Sequence, residues 1–308
     1  MNRIKIGTRA SRLALWQTHW VRERLSRRRP HTKFDVVTIK TKGDRILNAP
    51  LSKIGDKGLF TKEIEEALLA GEIDLAVHSL KDVPTQLPEG LTLGAVTERA
   101  SPADALIAAG DQTLDTLPQG AKIATSSLRR KAQLLNYRPD FEIVQMRGNV
   151  ETRLRKFEGS DLDGLVGAYA GLQRLGLSER ISQIIPLYLM LPAVGQGALA
   201  LEIREEDSEV AKLVTSLSHE GSFLSITAER SFLRALEGGC QIPIGAFGRI
   251  ESGALSLDGL IANLDGTRTV RDRVAGKLAE AEELGVTLAL KLIEQGGKDI
   301  LDEVRSQL

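Results

Sequence analysis

One cysteine in 308 residues, Cys240, excludes an intramolecular disulfide framework. The four histidines, His19, His31, His78 and His219, stand at no metal-ligand spacing from one another or from Cys240, which predicts no bound metal. Formal net charge is zero, 41 basic against 41 acidic residues, so the whole chain has no electrostatic pull toward nucleic acid or anionic lipid. No apolar run approaches a membrane span, and the opening residues lack the apolar stretch of a signal peptide. A cytoplasmic protein without nucleic-acid or membrane partners is the expectation. There is no tandem repeat or low-complexity tract. What is present is apolar content sufficient for real cores, over a length that suggests two or three domains.

Strand and helix patterns alternate along the chain. Residues 3–7 read as a buried strand, followed by a helix that Ser11 caps and that runs to about Arg29. A second strand spans 34–40. Residues 41–58 have neither helical nor strand period; they carry Lys53 and Lys57, with Phe60 just beyond, and read as a functional flap or a disordered loop. A helix over 61–70 precedes the strand 74–79. The pattern recurs as strands at 122–125 and 141–146, each leading into a helix, and at 165–169, followed by a segment that carries Arg174 before Gly176. Gly195-Gln196-Gly197 superficially fits a dinucleotide fingerprint, but Pro192 precedes it and no helix opens there, so it reads as a hinge into the strand 198–203. Helices over 208–217 and 225–236, strands at 244–250, 255–262 and 269–274, and helices over 278–295 and 298–308 complete the chain. The expected fold is α/β: two α/β lobes of largely parallel sheet flanking a cleft, and a smaller α+β domain at the C-terminal end.

Cys240 sits in Glu237-Gly238-Gly239-Cys240-Gln241-Ile242-Pro243. The two glycines are expected to stop the preceding helix, because Gly accepts the left-handed position there without steric cost. Pro243 forces extended backbone before it, so the sulfur stands on a sharp turn. A lone Cys is more often a small buried hydrophobe than a reagent.

Cations gather where strands end and helices begin. Arg9 lies in the turn Gly7-Thr8-Arg9-Ala10-Ser11, where free amides suit an anion. Lys81 and Asp82 follow a strand that Pro84 terminates, the place where open α/β sheets bind ligands; a surface ion pair is an equally weighted reading. Arg129 and Arg130 occupy a first helical turn, where the dipole disfavours them, so an anion partner is expected. Arg147 and Arg153 bracket a helix start that Asn149 caps, and Arg174 follows the next strand. Guanidinium forks fit carboxylates and phosphates, so the ligand should be a small polyanion. Asp82 among those cations could offset a developing positive charge, and a Cys240 thiolate could anchor the ligand covalently. A non-catalytic polycarboxylate binder would explain the arginines but leave Asp82 and Cys240 without a task. A Schiff base on Lys81 is weaker, since Asp82 beside it would keep the lysine protonated.

The motifs Gly7-Thr8-Arg9-Ala10-Ser11, Gly55-Asp56-Lys57-Gly58-Leu59-Phe60, Val77-His78-Ser79-Leu80-Lys81-Asp82-Val83-Pro84, Thr125-Ser126-Ser127-Leu128-Arg129-Arg130, Arg147-Gly148-Asn149-Val150-Glu151-Thr152-Arg153 and Gly238-Gly239-Cys240-Gln241 stand in this order. In them the chain resembles the porphobilinogen deaminase (hydroxymethylbilane synthase) family over nearly its whole length. The resemblance implies a three-domain fold, with boundaries near 1–97 plus 198–217, 98–197 and 218–308, whose first two domains look like type II periplasmic binding proteins. It implies a transferase of tetrapyrrole and haem biosynthesis, with a dipyrromethane cofactor linked by thioether to Cys240. Four porphobilinogen units join head to tail on that primer with loss of ammonia, and hydrolysis frees hydroxymethylbilane. Asp82 is implied as the catalytic carboxylate. Lys81, Asp82, Thr125, Ser126, Ser127, Arg129, Arg130 and Gly148 are implied at the cofactor. Arg9, Ser11, Lys53, Lys57, Phe60, Arg147, Arg153, Arg174 and Gln196 are implied at the substrate, Phe60 by stacking on a pyrrole ring. A monomer is implied. Two positions depart from the family's usual pattern, Ala124 and Gly167, and both bear on packing more than on chemistry.

Overall fold

The computed structural model describes residues 2–45, 58–238 and 242–307. The chain opens with β1 (Arg3–Arg9), α1 (Arg12–Arg28), β2 (Lys33–Ile39), the single turn α2 (Lys42–Arg45), α3 (Lys62–Leu69), β3 (Leu75–Ser79) and β4 (Leu91–Val96). It continues through β5 (Asp104–Ala108), β6 (Lys122–Ala124), α4 (Leu128–Tyr137), β7 (Glu142–Val144), α5 (Val150–Glu158), β8 (Gly164–Ala168), α6 (Tyr169–Arg174) and β9 (Gln183–Ile184). Then come β10 (Leu199–Arg204), α7 (Ser208–Thr215), α8 (Glu220–Ala235), β11 (Ile244–Glu251), β12 (Ala254–Ala262), β13 (Thr269–Gly276), α9 (Ala281–Leu292) and α10 (Lys298–Gln307).

Within the described residues, one compact unit comprises the chain up to Ala100 together with Gly197–Phe223, and a second comprises Ser101–Gln196 with Leu224 onward. The sheet of the first unit has the order β2-β1-β3-β10-β4. β1 runs parallel to β2 and β3, and β10 lies antiparallel between β3 and β4. One face packs Ile4, Ile6 and Val77 against α1 (Val21, Leu25) and α7 (Val210, Val214). The other face packs Ala76 against Ile64 and Leu68 of α3.

The second unit repeats the scheme. Its five-stranded sheet has the order β7-β6-β8-β5-β9, parallel from β7 to β8 and antiparallel at β5. Along β5, Leu106 faces one core with Ile123, Leu134 and Val166, while Ala105 and Ile107 face the other with Leu154, Leu165 and Leu172. That alternation is the period-two signature of a strand covered on both faces. In each sheet the antiparallel strand follows a point where the chain passes from one unit to the other, β5 just after Ser101 and β10 just after Gly197.

The same unit carries a three-stranded antiparallel meander, β11-β12-β13. Phe232, Leu257, Leu288 and Val304 form its core with α8, α9 and α10. The opposite face of β12 is also covered, because Leu260 and Ala262 pack against Leu191 and Ala132. A mixed α/β chain with two similar five-stranded sheets and a smaller α+β C-terminal part is the expected fold class.

Three local readings change. β4, β5 and β9 were not read as strands: β4 and β5 are brief apolar runs without period-two alternation, and β9 is two residues long. α8 begins at Glu220, five residues before its apolar period. The helix end ahead of Cys240 also differs. Glu237 takes the left-handed backbone (φ 51°), with its N–H on Arg234 O at 3.0 Å and the N–H of Gly238 on Leu233 O at 2.9 Å. Gly238 is required for space instead. A Cβ there would lie 2.5 Å from Leu233 Cδ1 and 2.6 Å from Ile244 Cδ1. Gly239, Cys240 and Gln241 lie outside the described residues, as do Lys53 and Lys57.

Candidate functional site

Parallel strands end together, so their carboxyl ends form one edge of a sheet. In the first unit β1 delivers Arg9 to that edge, and Ser11 caps α1 by accepting from Ala14 N at 3.3 Å. Beside it β2 leads into α2, whose Asp44 accepts from Arg9 through Nη2 at 2.5 Å and Nε at 3.3 Å. Burial alone would raise the Asp44 carboxyl, but Arg9 and Thr41 together hold it below the usual carboxylate range. The Arg9 guanidinium also lies 4.2 Å above the Phe60 ring centroid. Arg9 was expected at a ligand and Phe60 against a pyrrole; within this unit Arg9 bonds to Asp44 and lies over one face of Phe60. Asp44 was missed because an irregular segment gives no period from which to place it.

From β3 at the same edge the chain turns through one 3-10 turn, Leu80–Asp82, closed by Val83 N on Leu80 O at 3.0 Å. Leu80 is buried and pins the turn, while Lys81 and Asp82 are half-buried on it. Behind this corner sit three buried titratable groups, Glu65 of α3, His78 of β3 and Glu202 of β10. His78 Nε2 approaches Glu202 Oε2 to 3.0 Å, within ion-pair reach but without hydrogen-bond alignment. Burial pushes the Glu65 carboxyl above its ordinary value.

The second unit gathers more cations at the corresponding edge. Thr125 N bonds Val144 O at 2.9 Å, and Ser126 Oγ donates to Met146 O at 2.8 Å, tying the ends of β6 and β7 together. Ser127 caps α4 by accepting from Arg130 N at 3.4 Å. Asn149 caps α5 by accepting from Thr152 N at 2.8 Å. Between them Gly148 has φ 128°, and a Cβ on it would fall 2.7 Å from Thr152 Cγ2, so only glycine fits. Arg147 and Arg153 bracket that turn, both half-buried, and Arg174 ends α6 after β8.

β5 runs the other way, so its first residue, Asp104, arrives at this edge opposite Ala168. Asp104 is fully buried. It accepts from Arg129 Nη1 at 2.8 Å and from Arg130 Nε and Nη2 at 3.0 and 2.8 Å. Burial would raise its carboxyl, yet the two guanidiniums outweigh burial and hold it far below the usual range. The anion that the adjacent arginines call for is therefore supplied in part by the chain itself. Gln196, implied at the substrate, is 1% exposed, and its amide nitrogen donates to Pro102 O at 2.7 Å and Asp104 Oδ1 at 2.8 Å. Neither Asp104 nor the Gln196 contact was legible, because β5 was not.

Cationic capacity remains. Among the described residues, Arg129 Nε and Arg147 Nη1 are buried with no hydrogen-bond acceptor. Burial lowers the pKa of both groups. It takes Arg174 down to about 10. Buried guanidiniums with unmet donors fit an anionic group carrying several carboxylates, which is the chemistry of a dipyrromethane with acidic side chains. Among the described residues no group of three or more His, Cys, Asp or Glu is placed to hold a metal ion. None of the helices there is long and apolar enough to cross a membrane. Of the two departures, Gly167 leaves open room, since an added Cβ would meet only Leu172 at 3.8 Å, and Ala124 is fully buried in the sheet core.

Comparison with known proteins identifies the family. Residues 4–212 match the family model "Porphobilinogen deaminase, dipyromethane cofactor binding domain", and residues 223–294 match the porphobilinogen deaminase C-terminal domain. The chain is 52% identical over 305 residues to a porphobilinogen deaminase of Desulforamulus reducens, covering 99% of both chains. It is 55% identical over 304 residues to that of Synechococcus elongatus, covering 98% of this chain and 95% of the relative. Among solved structures, a methionine-binding protein, MetQ, gives a TM-score of 0.46 at 15% identity over 73% of this chain and 91% of its own, a likeness too loose to carry weight. With two family domains matched in order and half of all residues shared end to end, the chain belongs to the porphobilinogen deaminase family.

Proposed function

We propose that the chain condenses four porphobilinogen molecules head to tail on a dipyrromethane primer anchored at Cys240, and then releases hydroxymethylbilane by hydrolysis. The observation that carries this reading is the set of buried, partly unmet guanidiniums in a chain of zero net charge that belongs to this family. The dipyrromethane, when bound, supplies the pyrrole carbon to which the first new unit is joined.

Asp82 acts as the catalytic carboxylate. From its rigid 3-10 corner it accepts from a pyrrole N–H and offsets the positive charge that develops on the substrate as ammonia leaves. Lys81 beside it pairs with a ligand carboxylate. Thr125, Ser126, Ser127 and Gly148 shape the cofactor end, where the two capped helix starts of α4 and α5 favour negative charge. Arg147, Arg153 and Arg174 receive acetate and propionate groups, as do Arg9 and Ser11 in the first unit. Lys53, Lys57 and Phe60 serve the substrate. Domain boundaries at 1–97 plus 198–217, 98–197 and 218–308 are part of the proposal, supported by the three separate sheets. A cytoplasmic monomer is also part of it and rests on the family resemblance.

Denaturing mass spectrometry of protein made in a porphobilinogen-producing host tests the reading. The expected mass exceeds the bare chain by one dipyrromethane, and Cys240→Ser removes that increment. A bare-chain mass for the parent protein would overturn the proposal.

A further inference from the structure

Arg129 and Arg130 are neighbours in sequence, equally buried and bonded to the same carboxylate, yet their donors are spent differently. Arg130 gives Nε and Nη2 to Asp104 Oδ1 and Nη1 to Val166 O at 3.3 Å. Every nitrogen of that guanidinium is committed to the protein. Arg129 gives Nη1 to Asp104 Oδ2 and to Leu191 O at 2.6 Å, while its Nε stays buried with no acceptor among the described residues. Two guanidiniums against one carboxylate leave one positive charge in excess. A buried charge and an unmet N–H on the same side chain make a place for one external carboxylate. Gln196 fixes the carboxylate from a third direction, by its 2.8 Å bond to Asp104 Oδ1 and its anchor on Pro102 O.

We propose that Asp104, steadied by Gln196, is a positioning residue for this pair: it commits Arg130 to the fold and aims Arg129, with a donor to spare, at one carboxylate of the dipyrromethane. The inference rests on the functional reading above. It assigns the two arginines unequal roles, and it gives Asp104 an effect opposite in sign to simple electrostatics. If Asp104 served only as a competing anion, its removal would leave two full positive charges and strengthen the hold on the ligand. If it positions, its removal weakens that hold despite the added charge.

The test compares the parent with Asp104→Asn, which keeps the shape, and Asp104→Glu, which keeps the charge. Each is made in hosts with and without porphobilinogen. The readouts are the fraction carrying the adduct by intact mass and the melting-temperature gap between loaded and unloaded protein, which cancels damage to the fold itself. Asp104→Asn is expected to lower loading about tenfold, the loss of one charge-assisted hydrogen bond, and to shrink the gap. Asp104→Glu is expected to fall between it and the parent. Loading and gap in Asp104→Asn equal to or above the parent would overturn the inference. If neither Asp104 variant folds, Gln196→Met replaces them. It is expected to reduce both readouts by a smaller amount, and parent-like values there overturn the proposal equally. An unloaded parent would instead refute the functional reading itself, so the two failures are distinguishable.

Discussion

The Asp104 carboxylate and the Arg130 guanidinium share two hydrogen bonds, at 3.0 and 2.8 Å, deep beneath the start of α4. This pairing ties β5 to a helix start and has a defined pH signature. Asp104 ionises more readily in the folded chain than in the unfolded one, where its value is near 3.8. Below both values the two states bind protons equally. Above the unfolded value the folded state gains the full benefit, so stability rises with pH through this window and is lost as pH falls through it. Asp104→Asn should cost about 3–5 kcal/mol at neutral pH, the usual penalty for breaking a buried ion pair. In melting scans the difference from the parent should stay level down to about pH 5 and close below about pH 4. A difference that persists unchanged at the lowest pH would refute the ionic origin.

Asp82 stands on a turn closed by Val83 N on Leu80 O and by the buried Leu80, with no side-chain cap among the described residues. Asp82→Ala should therefore reduce turnover by about 10²–10⁴-fold. Its melting temperature should stay within about 3 °C, near 1 kcal/mol for a chain of this size. Product formation and a thermal scan on the same sample decide it, and near-normal turnover would remove Asp82 from the catalytic role.

Burial lowers the Arg174 pKa to about 10. Arg174→Met, of similar length, is expected to raise the KM for porphobilinogen. A loss of stability with unchanged KM would mark the residue as structural.

Gly148 immediately precedes the Asn149 cap of α5, at φ 128° with no room for a side chain. Gly148→Ala should destabilise by about 1–3 kcal/mol through backbone strain. That lowers the melting temperature by about 2–4 °C per kcal/mol. Denaturant unfolding with an unchanged slope would assign the loss to the native state, and full parent stability would contradict the strain.

Much of the architecture was legible because period-two and helical patterns survive in isolation. The capped starts at Ser11 and Asn149 are local events, set by a side chain reaching an amide three residues on, and both appear as read. β4 and β5 escaped because a brief apolar run carries no period of its own and acquires its identity from its neighbours across the sheet, and β9 because two residues carry no pattern. The end of α8 misled for a related reason. Gly238 was read as a backbone requirement, whereas its constraint comes from Leu233 and from Ile244, a strand away.

The sequence by itself determined which charges gather at strand ends, that one acidic residue, Asp82, stands among them, and through the ordered motifs the family to which they belong. Only the tertiary structure decided how those cations are spent. Arg9 goes to Asp44, Arg130 goes to Asp104, and Arg129 keeps a donor unmet. Hydrogen bonds and ion pairs between residues 25 or more positions apart depend on sheet order and strand direction. An antiparallel strand at the crossing of the chain brings Asp104 to the edge where the arginines begin their helix. Motif spacing states which groups are available, and packing assigns each its partner.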